Sequence, residues 1–223
     1  MFQGKKIIDL THTLHADMPT WGGGCGFSST IKMDYPDGLR AQSLRLHAGI
    51  GTHMDAPAHF KKGGTDVSEI PLEELMLPLV TIDLSKKAHA DYVITVEDLK
   101  EFDKNHPIPK GSFVACATGW SRFIHDPKAY RHVGVDGAMH FPTYSAEAAA
   151  YLLDKGVMGI GIDTLSPDLD DAFPVHHCIL GAGHYILENM ANLERLPPLS
   201  FMINLPLKMA GLTESPVRAI AIV

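Results

Sequence analysis

His47-Ala48-Gly49-Ile50-Gly51-Thr52-His53-Met54-Asp55-Ala56-Pro57-Ala58-His59-Phe60 is the stretch around which the chain is organised. It places three histidines and a carboxylate within fourteen residues, with two glycines that can bend the chain and a proline that stiffens it. Neither an amphipathic helix nor an ordinary buried strand needs that mixture. His53 and Asp55 are two residues apart, so on an extended segment both side chains leave the same face, with Cα atoms about 6–7 Å apart. One cation fits between an imidazole nitrogen and a carboxylate oxygen at about 2.0–2.2 Å from each. Pro57 suits the first turn of a helix, and such a turn would swing His59 back over the same place. Taken singly, each of these residues reads as a solvated histidine or a turn-forming aspartate; taken together, behind Gly51-Thr52, they read as a metal site.

Working outward, Leu44, Leu46 and Ala48 alternate with Arg45, His47 and Gly49, which predicts a half-buried strand from Ala41 to Ala48 running into the His/Asp stretch. Upstream, Ile7–Leu10 reads as a short strand and residues 27–35 as another. Between them, Asp17-Met18-Pro19-Thr20-Trp21 with Gly22-Gly23-Gly24 forms a loop, either a flap carrying Trp21 over an apolar ligand or a flexible turn. Downstream, a turn and short helix fall within 66–77, and strands are expected over 79–84, 113–117, 157–163, 185–187, 201–205 and 217–223. Thr95 caps a helix over 96–102 and Ser145 caps one over 146–154, which Gly156 ends. Residues 174–181 form a short helical turn. Ser166 lies in Thr164-Leu165-Ser166-Pro167, a loop at the carboxyl end of a strand, where α/β proteins place ligands. Trp21, Phe60 and Ser166 are therefore candidate substrate-binding residues, with Trp120 a further aromatic; core packing explains Phe60 and Trp120 better.

A second cluster, Val175-His176-His177-Cys178 followed by Glu188, offers an imidazole and a carboxylate that would complete a mixed N/O site. Glu188 also reads as an acidic residue at a helix start, and His177 and His184 as surface groups.

The totals restrict the function classes. The 223 residues suit one domain, 1–223, and 45% hydrophobic with 20% charged residues is ordinary for a globular chain with a sizeable core. A net charge of −7 without a basic run argues against a nucleic-acid partner. Cys25, Cys116 and Cys178 are an odd number at wide spacing, not a disulfide framework or zinc ribbon, and suit a reducing, cytoplasmic compartment. No stretch reads as a signal peptide or membrane span, so no membrane partner is expected. Thirteen histidines point toward metal or proton chemistry.

The sequence resembles the cyclase-like metal-dependent hydrolases, which include bacterial kynurenine formamidase and isatin hydrolase. Gly51-Thr52-His53-Met54-Asp55-Ala56-Pro57-Ala58-His59 matches the family's Gly-Thr-His-x-Asp-x-Pro-x-His signature. Supporting matches follow in order: Asp9-Leu10-Thr11-His12, Thr118-Gly119-Trp120, the run 159–166, His176, the run 188–193 and the run 215–219. The resemblance implies a compact α/β domain of the swivelling β/β/α type with a mixed central sheet, assembled as homodimers or homotetramers. It implies that His53, Asp55, His176 and Glu188 bind a divalent metal, Zn or Mn, and that His59 is the catalytic acid/base. Binuclear members carry a further histidine four residues before His53; Gly49 stands there, so one ion, or one tight and one weak, is expected, with His47, His184 or a water filling the gap. The implied activity is hydrolysis of an amide C–N bond in a small N-acyl or cyclic amide. The alternatives are a metal-assisted cyclase or dehydratase, and a non-catalytic small-molecule-binding relative.

Overall fold

Four strands near the middle of the chain run parallel because helices or long crossovers return the chain between them, and this sets the architecture. The computed structural model describes residues 4–223. In chain order its regular elements are β1 (Ile7–Asp9), β2 (Phe27–Met33), β3 (Ala41–Leu46), β4 (His53–Asp55), β5 (Met76–Asp83), β6 (Val93–Ile94), α1 (Val96–Asn105), β7 (Phe113–Ala117), α2 (Pro127–Arg131), β8 (Thr143–Tyr144), α3 (Ala146–Asp154), β9 (Gly159–Ile162), α4 (Pro174–Gly181), β10 (Tyr185–Glu188), β11 (Leu199–Pro206) and β12 (Glu214–Ile222). Strands β5, β7, β9 and β10 lie parallel in that order. Antiparallel β4, β12 and β11 join β10 back to β5, closing a seven-strand barrel, and β1 extends the sheet along β12. This is the α/β domain with a mixed sheet that the resemblance implies.

The two-residue period of a strand divides the core. Phe113, Ala115 and Ala117 of β7 point into the barrel with Leu77, Leu79, Leu187 and Met54. Val114 and Cys116, on the other face, pack with Leu99 of α1, Leu152 of α3 and Ile179 of α4. Strand β7 is buried throughout because both faces are covered. Met54 points inward, so its neighbours His53 and Asp55 face outward. Leu187 points inward, so Glu188 faces outward beside them. Val217, Ala219 and Ala221 of β12 also point inward, which turns Glu214 to the same outer face. Helix α1 carries the expected capping box between Thr95 and Asp98 and runs three residues past its expected end.

Two expectations fail. The strand from Ala41 is not half-buried: β2 and β3 form a separate two-stranded ribbon, and Leu44 is 59% exposed. Its alternation is real, but only the ribbon's end touches the core, through Phe27 and Leu46, and the rest of both faces is exposed. The helix expected within 66–77 is a single 3-10 turn, Leu72–Glu74, after which β5 begins three residues earlier than expected. Among the described residues, no helix is long and apolar enough to cross a membrane.

Candidate metal centre

Strand pairing assembles the site. In the β4–β10 ladder Glu188 stands opposite His53, and in the β4–β12 ladder Glu214 stands opposite Asp55. His176 comes from the first turns of α4, which packs against this face. His53, Asp55, His176 and Glu188 are all buried. Each carboxylate turns one oxygen to each imidazole. His53 Nε2 lies 3.5 Å from Asp55 Oδ1 and 3.2 Å from Glu188 Oε2. His176 Nε2 lies 3.5 Å from Asp55 Oδ2 and 3.3 Å from Glu188 Oε1. These separations exceed the about 2.7–2.9 Å of a direct N–H to carboxylate bond. They match the about 3.3–3.4 Å between donors that each stand about 2.0–2.1 Å from a tetrahedral ion. Asp55 Oδ1 is buried and accepts no hydrogen bond, a loss that a cation would repair. The donor set therefore fits a divalent metal.

The far side of each imidazole is held. His53 Nδ1 donates to the Gly51 carbonyl at 2.9 Å, leaving Nε2 toward the cluster. His176 Nδ1 donates to Asp168 Oδ2 at 2.7 Å. Asp168 also accepts from the backbone N–H groups of Val175 and His176 at 3.0 and 2.9 Å. The residue before α4, Phe173, offers no side-chain cap, so Asp168 caps the helix from the preceding loop and aims its histidine in one stroke. The Gly51 carbonyl is gripped in turn by Asn189 Nδ2 at 3.0 Å.

Without a cation the cluster attracts protons. Burial disfavours a charged imidazole at His53, yet Asp55 and Glu188 outweigh it and raise its pKa to about 10. Burial likewise opposes charge at His176, while Asp168, Asp55 and Glu188 raise it to about 12. Burial opposes the Glu188 charge too, and the two imidazoles hold its pKa down to about 2. A metal ion would take the place of those protons.

The cluster forms the floor of a cavity of about 650 Å³ whose walls include Trp21, Phe60, Leu165, Ser166 and Phe173. Phe60 stacks on His176 with ring centroids 4.7 Å apart. The Trp21 and Phe173 rings are 6.0 Å apart. Arg131 Nη2 donates to the Trp21 carbonyl at 2.8 Å, and its guanidinium lies where a side chain at Gly23 would go. The glycine loop therefore carries Trp21 as a pinned flap. Pro57–His59 form a 3-10 turn that brings His59 to the rim, with Nδ1 3.6 Å from Glu214 Oε2 and 3.5 Å from Thr213 Oγ1.

The four expected ligands, His59, Trp21, Phe60 and Ser166 all line this one cavity. Trp120 does not: it is buried in the core, its indole N–H donating to the Tyr130 carbonyl at 2.9 Å. The Thr118-Gly119-Trp120 match has a structural role, since Thr118 and the Trp120 N–H donate to buried Asp163 and tie β7 to β9. Of the histidines expected to fill the place of Gly49, His47 reaches only the cavity rim and is exposed, and His184 lines a separate cavity beside Glu69 and Glu74. Three residues escaped the sequence reading. Glu214 was hidden by its distance along the chain. Phe173 belongs to no motif and stands directly before α4. Asp168 carried a weak signal, a carboxylate shortly before a helix that starts with proline.

Comparison with known proteins gives the family. The Cyclase family model matches residues 8–169, more than half of the chain. Kynurenine formamidase of Bacillus thuringiensis subsp. konkukian is 28% identical, over 97% of this chain and 97% of its own. The solved structure of isatin hydrolase A from Labrenzia aggregata bound to benzyl benzoate is similar with a TM-score of 0.91 and 31% identity, over 99% of this chain and 94% of that one. A structure described as a potential metal-dependent hydrolase with cyclase activity is similar at a TM-score of 0.76 and 27% identity, over 98% of both chains. The relatives are hydrolases, and the chain belongs to the Cyclase family.

Proposed function

We propose that this protein is a metal-dependent amidohydrolase that cleaves the C–N bond of a small aromatic N-acyl amide or cyclic amide. The observation that carries the reading is the ring of two imidazoles and two carboxylates, buried beneath an aromatic cavity, with one carboxylate oxygen left without a partner. His53, Asp55, His176 and Glu188 would hold the ion, and imidazole with carboxylate suits Zn or Mn. A divalent cation there supplies Lewis acidity, polarising a carbonyl and lowering the pKa of water to about 7. His59 moves the protons. Its Nδ1 is turned toward Glu214 and Thr213, so Nε2 is the atom that takes the proton of the attacking water and returns it to the leaving nitrogen, which departs poorly as an anion. Phe60, Phe173 and Trp21 fit a flat ring and keep water from its faces, and Ser166 adds a hydroxyl to the wall. The aromatic ester named with one relative and the aryl substrates named with both support that choice of ligand class.

The test is a panel of N-formylkynurenine, isatin and related amides, offered to chelator-stripped protein and to protein resupplied with Mn or Zn. Hydrolysis confined to the metal-loaded protein supports the reading. Dehydration without C–N cleavage would move it to a lyase, and a metal-loaded protein silent on the whole panel refutes the aromatic-amide assignment. We also propose a homodimer or homotetramer in a reducing cytoplasm. The exposed Ile31, Met33 and Leu44 of the β2–β3 ribbon are the apolar surface a second copy would cover, and the three cysteines are unpaired. Light scattering on the purified protein should give a multiple of the chain mass.

A further inference from the structure

We propose that Glu214 is a ligand of a second divalent cation, bound on the His53 side of the centre in the space that Gly49 leaves open. The proposal rests on reading the centre as a metal site and extends it with a residue that the sequence did not single out. Glu214 stands opposite Asp55 in the β4–β12 ladder. One donor atom each from His53, Asp55 and Glu214 lie within 4.8 Å of one another, as do one each from Asp55, His176 and Glu188. The two groups share Asp55, whose Oδ1 is the oxygen nearer His53 and whose Oδ2 is the one nearer His176. Each of these carboxylates turns one oxygen to either side, Glu188 in the same way as Asp55, so both would serve an ion on the His53 side as well as one on the His176 side. Asp55 Oδ1, on the His53 side, is the buried oxygen with no hydrogen bond, and the residue is 1% exposed.

Gly49 explains why a carboxylate can reach this place. A Cβ added at Gly49 would overlap Glu214 Oε1 and stand 3.2 Å from His53 Nε2. The same space therefore accommodates either a side chain from position 49 or the Glu214 carboxylate, not both. Charge favours a second ion as well. Asp55, Glu188 and Glu214 bring three negative charges around two imidazoles, and one divalent cation leaves a net negative charge in a largely buried site. A carboxylate where an imidazole would otherwise stand favours a hard ion such as Mn²⁺ over Zn²⁺ at this subsite.

The experiment is Mn²⁺ titration of chelator-stripped full-length protein by calorimetry, with bound equivalents counted by elemental analysis and spin coupling read by electron paramagnetic resonance. Wild type is expected to bind two equivalents per chain and show a coupled pair. Glu214→Gln is expected to bind one, uncoupled, with the melting temperature of the stripped protein confirming its fold. In Gly49→His/Glu214→Gly, an imidazole occupies the vacated space; recovery of the second equivalent, now preferring Zn²⁺, supports the assignment without depending on the single variant. A wild type that binds one equivalent, with Glu214→Gln binding it equally well, overturns the role of Glu214 and leaves the single-metal hydrolase standing. Two equivalents retained in Glu214→Gln also overturn it. A wild type that binds no divalent ion overturns the metal reading itself.

Discussion

Asp168→Asn separates the positioning of a ligand from ligation itself. Asp168 touches no substrate and lies behind His176, where its two oxygens accept three hydrogen bonds. Oδ1 takes the Val175 N–H at 3.0 Å, and Oδ2 takes the His176 N–H at 2.9 Å and the imidazole Nδ1–H at 2.7 Å. Asparagine keeps the shape and one accepting oxygen, so one face of the cap survives. Its NH₂ group then meets two other donors, and His176 either loses its anchor or switches tautomer. Loss of such a partner typically lowers metal affinity 10–100-fold, or about 1.4–2.7 kcal/mol. Loss of helix-capping bonds costs about 1 kcal/mol of fold stability in addition. The assay is competition for Mn²⁺ against a fluorescent chelator, with the melting temperature of the stripped protein read in parallel. The expected result is a 10–100-fold weaker Kd with a melting temperature lowered by a few degrees. Unchanged affinity in a protein that is visibly destabilised would show that Asp168 only caps α4, and the argument that His176 is aimed by its carboxylate would fail.

Other outcomes follow from the same geometry. His59→Ala should lose about 10²–10⁴-fold in kcat while binding metal normally; full turnover would remove His59 from the reaction. Stripped of metal, the protein should become less stable as pH rises. His53 and His176 have folded pKa values near 10 and 12, above the ordinary 6.5. Their contribution is therefore complete below about pH 6.5, declines above it, and is lost as pH passes 10 for His53 and 12 for His176. Melting temperatures of stripped protein between pH 7 and about 11 should fall, and fall less with metal bound, because neutral imidazole is the ligating form; a rising profile contradicts the assignment. Trp21→Ala should raise KM for an aromatic substrate up to about tenfold, the worth of one aromatic contact, and change kcat little; a changed kcat with constant KM would show that Trp21 does not hold the ring.

What could be read along the chain was whatever depends on neighbouring residues. Strand β7 begins and ends where Phe113 and Ala117 said it would, and α3 spans Ala146–Asp154 as its serine cap and glycine stop required. The pairing of His53 with Asp55 on one strand face follows from a period of two, and the turn at Pro57 from a fixed φ. These signals are local because caps, turns and alternation act over a few residues.

The tertiary structure alone decided which elements meet. The alternation of Leu44 and Leu46 looked like a core-facing strand, yet nothing in it says whether a sheet will cover it, and β3 stands in a ribbon outside the barrel. Glu214 lies far from Asp55 along the chain, just outside the 215–219 match; only closure of the barrel through the β12–β4 ladder sets the two carboxylates opposite one another. Asp168 becomes the partner of His176 only once the loop after β9 folds over the start of α4. Local sequence specifies which way each side chain faces, because backbone geometry repeats every few atoms. It does not specify what stands across from that side chain, because partners are chosen by the burial and hydrogen bonding of the whole sheet.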